Sequence, residues 1–260
     1  MGAAINETFE QLAEHNKFLS YKSAGGPNSI LPSFDPSHRV LTEDSMVLEY
    51  NHDIPVRDGI KLRACGVSHN AIGQAGPFDQ AQIPPFKEFD PGYDGVHQYK
   101  FCVFQGSDPA FWTKHGFIYV AVDARGSFAS EGAKASFLTP VDTLDADDVI
   151  EYVETRPWSN GHVGMIGASA LGAIQWLAAF LAPPHLSAIV IQDAGTDQYR
   201  DMAYKGGVPH LNFVEGLRNI YKTHGNREGC PLGDLPLASQ QHPTFDQYWE
   251  RLTPKVTNIP

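Results

Sequence analysis

The sequence contains little of what several classes of protein require. Of its 260 residues only 3 are cysteines (Cys65, Cys102 and Cys230), and their odd number and wide spacing argue against a disulfide framework or a cysteine metal site. Basic residues are also few, and a net charge of −11 argues against a nucleic-acid binder. The longest apolar stretch, residues 173–182, includes Gln175 and falls well short of the roughly 20 residues of a membrane span.

No secretory signal is expected, because the N-terminus lacks a basic region followed by an apolar run. We therefore expect a cytoplasmic protein with reduced cysteines and without membrane contact. What the chain does contain is ordinary for a globular protein, since 42% of its residues are hydrophobic and 19% are charged. A chain of this length can form one domain with a large core or two small domains.

The first part of the chain predicts an antiparallel hairpin. Strands are predicted at residues 46–50 and 60–65, and the turn between them contains Gly59, which accepts the positive φ that a tight hairpin turn needs. Residues 1–45 are interpreted as an N-terminal arm. Residues 66–112 contain Gly, Pro, Gln and Asp throughout and show no clear periodicity.

Beyond Gly116 the pattern alternates strand and helix, which is typical of a parallel sheet in an α/β protein. The predicted order is a strand at 117–122 buried on both faces, a helix at 143–155, a strand at 162–166, a helix at 170–182 and a strand at 186–191. Asp145, Asp147 and Asp148 are interpreted as lying near the positive N-terminal end of the first helix. Residues 199–214 and 245–252 predict helices of a cap.

The segment 163–172, Val-Gly-Met-Ile-Gly-Ala-Ser-Ala-Leu-Gly, carries the clearest chemical signal. A predicted strand gives way to a helix at Ser169, and such a turn is typical of a hydrolase nucleophile because it exposes the hydroxyl beside free amide groups. We predict Ser169 as the nucleophile and the backbone N–H of Ala170 as an oxyanion donor, with Gly167 and Gly172 permitting the tight turn. The alternative is that Ser169 only caps the helix.

A second motif, Asp-Ala-Arg-Gly at 123–126, follows the first strand of the alternating pattern. It lacks the pattern of a phosphate-binding loop. We interpret Asp123 and Arg125 as an internal ion pair that shapes the loop. The alternative is a catalytic Asp123, although the acid of an α/β-hydrolase follows its serine along the chain.

These segments, together with others in the same order, resemble the cocaine-esterase and X-prolyl-dipeptidyl-peptidase (CocE/NonD) family. The similar segments are Asp-x-Arg-Gly at 123–126, Ser-Glu-Gly at 130–132, Pro-Trp-Ser-Asn-Gly at 157–161, Gly-x-Ser-x-x-Gly at 167–172 and Pro-Pro-His-Leu at 183–186. The resemblance implies an α/β-hydrolase sheet, mostly parallel with an N-terminal antiparallel hairpin, and part of a helical cap. It also implies serine hydrolysis of esters or amides without a metal or cofactor.

The chain departs from the family pattern around the oxyanion hole. The family's Pro-Tyr-Gly-Lys motif, whose tyrosine helps to form that hole, is expected soon after Leu62. The sequence offers only Gly-Pro-Phe-Asp at 76–79, while Tyr93 and Tyr99 stand in a different context. Ala170 occupies the position where the family usually has a bulky aromatic residue.

The acid and base of the triad are the larger departure, because the resemblance places them on strands beyond the cap. Residues 256–260 resemble the lead-in to the strand that carries the acid, so the C-terminal strands are expected to be missing and the chain to be truncated. Asp234 and His242 follow Ser169 in the right order, and His210 and His224 are further candidates, but a replacement triad would need rigid support at hydrogen-bond distance.

The chain is thus divided into an arm (1–45), a partial hydrolase core (46–198) and a partial cap with the lead-in to the next strand (199–260). An incomplete sheet would leave an open edge that favours self-association. Three functions stay open: a serine hydrolase that acts on a small-molecule or peptide substrate through an acyl-enzyme, a non-catalytic homologue that binds a small molecule or partner, and an acyltransferase.

Overall fold

The structure, a computed structural model, describes residues 38–43, 46–68, 106–127, 130–133, 138–224 and 235–253. In these ranges the strands are β1 (Arg39–Glu43), β2 (Met46–Pro55), β3 (Lys61–Ser68), β4 (Tyr119–Val122), β5 (Val163–Ala168) and β6 (Leu186–Gln192). The α-helices within these ranges are α1 (Pro109–Lys114), α2 (Pro140–Glu154), α3 (Ala170–Leu181), α4 (Leu211–His224), α5 (Leu235–Gln241) and α6 (Gln247–Leu252). A π-helical segment, Gln198–Ala203, and a 3-10 turn, Lys205–Gly207, lie between β6 and α4.

The predicted N-terminal hairpin is confirmed as the β2–β3 pair of an antiparallel sheet with the strand order β1-β2-β3-β4. Gly59 takes a φ of 84° in its turn, as the sequence required. Both strands are longer than predicted. For β2 the reason is a bulge after Glu49, which interrupts the sequence pattern although the strand continues. Strand β1 and His38 before it lie in what was interpreted as an arm, and residues 1–37, 44 and 45 of that arm lie outside the described residues.

The predicted strand–helix–strand unit is confirmed at the centre of the chain. Strands β5 and β6 are parallel, with Ile166 opposite Val190, and α3 connects them. Gln175 of α3 is buried, and its side chain ties the helix to the sheet: Nε2 donates to Leu171 O (2.7 Å) and Oε1 accepts from Val190 N–H (3.0 Å). This buried amide therefore fixes how α3 sits on β6.

Helix α2 begins three residues before the predicted start. Thr139 caps it, and Asp142 completes a capping box by accepting from the Thr139 N–H (2.7 Å). The interpretation of Asp145, Asp147 and Asp148 as partners of the helix dipole is wrong, because Asp142 is the acidic residue of the first turn. The three later aspartates accept hydrogen bonds from arginines instead.

The predicted strand at 117–122 is shorter and less buried than expected. It begins at Tyr119, all four of its residues are half-buried, and Phe117 is exposed. Phe117 still belongs to the turn after α1, because Gly116 takes a φ of 85° and the Phe117 N–H donates to Trp112 O. The apolar run at 117–122 therefore did not indicate a strand buried on both faces of a sheet.

Two apolar clusters matter for the site. One joins the β2–β3 hairpin to α2, where Val149 and Tyr152 pack on buried residues of the two strands. The other joins α3 to the helices that follow β6, and its buried members are Leu138, Ala173, Leu177, Ala203, Tyr204, Val214, Leu235, Trp249 and Leu252. The helix that follows Ser169 is thus held from the sheet side and from the C-terminal helices.

The helices after β6 differ in detail from the prediction at 199–214. Gly206 and Gly207 take φ angles of 62° and 81°, so the helix is interrupted there and α4 begins only at Leu211. Helix α6 begins at Gln247, after Asp246 caps it by accepting from the Tyr248 N–H. No helix in the described ranges is long and apolar enough to cross a membrane.

Candidate active site

The strand-to-helix turn at Ser169 has the abrupt geometry that the sequence predicted. Ser169 has φ 54° and ψ −117°, a conformation that side-chain-bearing residues rarely adopt, and it lies directly between β5 and α3. Its N–H donates to Gln192 O on β6 (2.9 Å), and its carbonyl accepts from Ala173 N–H (2.8 Å). Hydrogen bonds on both sides therefore hold the strained residue in place.

The Ser169 side chain does not cap α3, although the residue occupies the N-cap position. A serine that served only as a helix cap would accept a hydrogen bond from the first turn. The hydroxyl is therefore free of the structural role that was the alternative to catalysis.

Gly167 and Gly172 permit the turn because neither position has room for a side chain. A Cβ at Gly167 would lie 2.5 Å from the Leu171 Cβ, and a Cβ at Gly172 would lie 2.7 Å from the Ala194 Cβ and 3.1 Å from the Gly167 carbonyl oxygen. The contacts are with backbone and Cβ atoms, which cannot rotate away. Small residues at these positions are thus a requirement of the close approach between β5, α3 and the segment after β6.

Because of this crowding, we expect alanine substitutions at two glycines of β5 to differ strongly in their effect on the free energy of unfolding. We expect Gly167→Ala to lower the free energy of unfolding by about 1–3 kcal/mol, because the added methyl group overpacks the turn. Gly164→Ala is the matched control: its Cβ would meet only the Ala188 carbonyl oxygen, at 3.8 Å. Urea unfolding of both variants measures the difference, and equal stability would contradict the proposed packing.

Asp193, which is not among the site residues predicted from the sequence, lies at the same edge of the sheet as Ser169. It directly follows Gln192, whose carbonyl binds the Ser169 N–H, and it is exposed with a φ of 45°. Strained non-glycine residues cluster at functional sites. Its position just past a predicted strand was the available signal, because ligands in α/β proteins bind at the carboxyl ends of the strands.

Of the residues considered for a replacement triad, His210 and His242 lie in the described part of the chain, and neither is hydrogen-bonded to Ser169 there. His242 Nδ1 is 2.7 Å from Asp246 Oδ2, and its ring stacks on Tyr248. His210 is exposed and stacks on Phe213. Asp234 and the His224 side chain lie outside the described residues, as do Tyr93 and Tyr99.

Arg125 shapes the loop after β4, but not through Asp123, so the predicted ion pair is wrong. Its guanidinium binds Asp145 on α2 (Nε to Oδ2, 2.9 Å) and Asp58 in the hairpin turn (Nη1 to Oδ2, 2.7 Å). Asp123 instead contributes backbone groups, since its carbonyl accepts from Ser130 Oγ (2.7 Å). Gly132 has a φ of 84°, and a Cβ there would lie 2.9 Å from the Arg125 Cγ, which accounts for the glycine of the Ser-Glu-Gly segment.

The electrostatics of this network follow from burial and pairing. Burial raises the pKa of Asp145 to about 6, although the Arg125 guanidinium acts in the opposite direction. Burial also opposes ionisation of Asp58, but the hydrogen bond and charge of Arg125, together with backbone N–H groups of the turn, hold the Asp58 pKa below the usual value. Arg125 itself stays charged, because burial is outweighed by its two carboxylate partners, which raise its pKa.

An antiparallel hairpin leading into a parallel strand–turn–helix unit, with a strained serine at the turn, defines an α/β-hydrolase. The sequence profile of the X-Pro dipeptidyl-peptidase (S15) family matches residues 35–256, and the chain belongs to this family. The resemblance and the fold class predicted from the sequence are thereby confirmed.

Individual relatives agree with this assignment. Cocaine esterase from Rhodococcus sp. (strain MB1 Bresler) is 34% identical over 159 residues, which are 59% of this chain and 25% of the esterase. A CocE/NonD family hydrolase from Staphylococcus aureus has a TM-score of 0.74 at 27% identity, over 92% of this chain and 46% of that structure. An alpha-amino acid ester hydrolase at 20% identity shares the fold, with a TM-score of 0.56. The chain thus spans a quarter to a half of these relatives.

Proposed function

We propose that this chain carries the nucleophilic serine of an esterase or peptidase and that Ser169 attacks the carbonyl carbon of an ester or amide. The observation that carries the proposal is the strained backbone of Ser169 between β5 and α3, with a side chain that does not cap the helix. The relatives named cocaine esterase and CocE/NonD family hydrolase support this class of chemistry.

In the proposed reaction, Ser169 Oγ bonds to the carbonyl carbon while its proton passes to a general base. The carbonyl oxygen becomes an oxyanion, which accepts a hydrogen bond from the Ala170 N–H. Ala170 is the first residue of α3, so its N–H has no carbonyl partner one turn earlier within the helix. The intermediate then expels an alcohol or amine, which takes the proton, and water releases the acid from the acyl-enzyme.

We propose that the general base and its acid partner come from outside the described residues. Within the ranges that the structure describes, neither a histidine nor a carboxylate hydrogen-bonds to the Ser169 side chain. The family resemblance implies a histidine and an aspartate, and the matched relatives are roughly twice as long as this chain.

The test is labelling of the 260-residue chain with a fluorophosphonate, followed by mass spectrometry of the modified peptide. We expect slow labelling of Ser169 that exogenous imidazole accelerates, because imidazole supplies the missing base. Ser169→Ala removes the label, whereas Ser187→Ala, at an exposed serine on β6, leaves it unchanged.

Labelling that is equal in wild type and Ser169→Ala, or none in a folded chain with imidazole present, would contradict the proposal. Folding is checked by circular dichroism, so that a failure to label is not confused with a failure to fold.

A second function is favoured by the same lack of partners around the Ser169 hydroxyl in the described residues. A non-catalytic homologue would bind a small ester or peptide without cleaving it. Thermal stabilisation by such a compound, equal in wild type and Ser169→Ala and without any labelling, would support this alternative and argue against the first.

A further inference from the structure

Three residues around a bulge in β2 form a cluster that the hydrolase site does not use. Glu49 and His52 are three positions apart, so an undistorted strand would point them to opposite faces. The register of β2 on β3 shifts between these two residues, and Asn51 takes a φ of 58°. The bulge therefore turns both side chains to the same side, where His52 Nδ1 is 3.2 Å from Glu49 Oε1.

His38, which precedes β1, completes the cluster. Its Nε2 also contacts Glu49 Oε1, so two imidazole nitrogens converge on one carboxylate oxygen. One nitrogen from each ring and the carboxylate oxygen all lie within 4.8 Å of one another. Three potential ligands are thus gathered from two segments of the chain by strand pairing.

Glu49 has an unusual environment for a carboxylate. Only 1% of its side chain is exposed, and its second oxygen, Oε2, is buried without a hydrogen-bond partner among the described residues. A buried carboxylate is costly unless positive charge or hydrogen bonds compensate it. A bound cation would supply that charge.

We propose that His38, Glu49 and His52 bind a divalent transition-metal ion of the zinc type. Two imidazole nitrogens and one carboxylate oxygen are a ligand set that zinc accepts, with a fourth position left for water. In a tetrahedral site with metal–ligand distances of about 2.0–2.2 Å, the ligand atoms lie about 3.3–3.6 Å from one another. The 3.2 Å between His52 Nδ1 and Glu49 Oε1 is already close to that spacing, so small side-chain movements would place an ion between them.

Tyr152 on α2 holds His52 in the orientation that this site needs. The Tyr152 hydroxyl lies 2.8 Å from His52 Nε2, so it can accept the Nε2–H and leave Nδ1 unprotonated toward Glu49. The metal would then tie the segment before the edge strand β1 to β2 and, through Tyr152, to α2. None of these residues comes from β5 or α3, so the site is independent of the proposed hydrolase chemistry.

The experiment titrates the chelator-treated 260-residue chain with Zn²⁺ by calorimetry and with Co²⁺ by visible absorption. We expect one ion per chain with a dissociation constant of about 1 µM or tighter. The melting temperature should rise with Zn²⁺, because the ion binds the folded state preferentially.

Four variants and a control locate the ion. His38→Ala, Glu49→Gln and His52→Ala should each weaken Zn²⁺ binding at least about tenfold, and Tyr152→Phe about tenfold. His162→Ala is the matched control, because His162 is an exposed histidine whose ring Nδ1 lies 3.0 Å from Ser187 Oγ, far from the cluster in sequence. This variant should bind Zn²⁺ as the wild-type chain does. His38 is more than half exposed, so His38→Ala keeps the test valid if Glu49→Gln fails to fold.

Zn²⁺ binding that survives all three ligand substitutions would overturn the proposal, as would the absence of one-to-one binding by the folded wild-type chain. The latter result would identify the cluster as a hydrogen-bonded histidine–glutamate network without a metal.

Discussion

Replacing Trp249 with alanine lowers the free energy of unfolding by about 3–5 kcal/mol, the range for large buried aromatic residues. Trp249 is fully buried in α6, and its indole N–H donates to the His242 carbonyl (2.8 Å). Its ring contacts Tyr199 and Tyr248, and its cluster includes residues of α3. The loss therefore removes packing between the C-terminal helices and the helix that follows Ser169.

Phe245 supplies the control for this expectation. It contacts Tyr199 and Arg200 in the same region but is 38% exposed, so Phe245→Ala should cost only about 1 kcal/mol. Trp249→Phe should fall between the two, since it keeps a ring but loses the hydrogen bond. Chemical denaturation followed by circular dichroism measures all three. Equal losses for Trp249→Ala and Phe245→Ala would show that the C-terminal helices are not part of the cooperative core.

Arg125→Ala is expected to lower the free energy of unfolding by about 3–5 kcal/mol, as Trp249→Ala does. The reason is that it removes one partner of a buried ion pair and leaves the other uncompensated. The variant leaves Asp145, with 8% of its side chain exposed, without its guanidinium partner. Arg57 provides a matched contrast: it also links the hairpin turn to α2, through Asp147 and Asp148, but these groups are more exposed. Arg57→Ala should therefore cost about 1 kcal/mol or less.

The pH dependence of the Arg125→Ala deficit tests this explanation. Burial already raises the pKa of Asp145 to about 6 in the presence of Arg125, and removal of the guanidinium raises it further. The folded variant then holds the Asp145 proton more tightly than the unfolded chain does, so the deficit is largest at pH 8 and shrinks toward pH 5. Urea unfolding at the two pH values measures it.

Two results would contradict the account of Arg125. One is a deficit that does not change between pH 8 and pH 5. The other is a double variant, Arg125→Ala with Asp145→Asn, that is less stable than Arg125→Ala alone, because removal of the buried charge should instead restore part of the loss.

Several features of this chain were predictable because they depend on local backbone requirements. Gly59 marked the hairpin turn, since positive φ favours glycine. The small residues around Ser169 marked the turn between β5 and α3, because a side chain at Gly167 or Gly172 would overlap atoms that cannot move. The apolar pattern of the strands at 162–166 and 186–191 and of the helix at 170–182 was enough to predict the parallel β5–α3–β6 unit.

Other features could not be predicted because they depend on residues far apart in the chain. Arg125 was paired with the wrong carboxylate, since its partners Asp58 and Asp145 come from a turn and a helix that only folding brings together. The bulge at Asn51 interrupts the alternation of β2, so the sequence pattern predicted a strand that ends at residue 50. The pattern therefore gave no sign that His38, Glu49 and His52 converge.

By itself the sequence determined the hairpin, the alternation of strand and helix and the position of the strained serine, because turns and close backbone contacts constrain residue type locally. The hydrolase class of the fold followed from the resemblance of its motifs to a known family. Only the tertiary structure decided which carboxylates Arg125 binds, how the C-terminal helices pack on α3, and that two histidines meet a buried glutamate. These contacts form between segments that are far apart in the chain. The residue types alone would allow many other pairings between such segments.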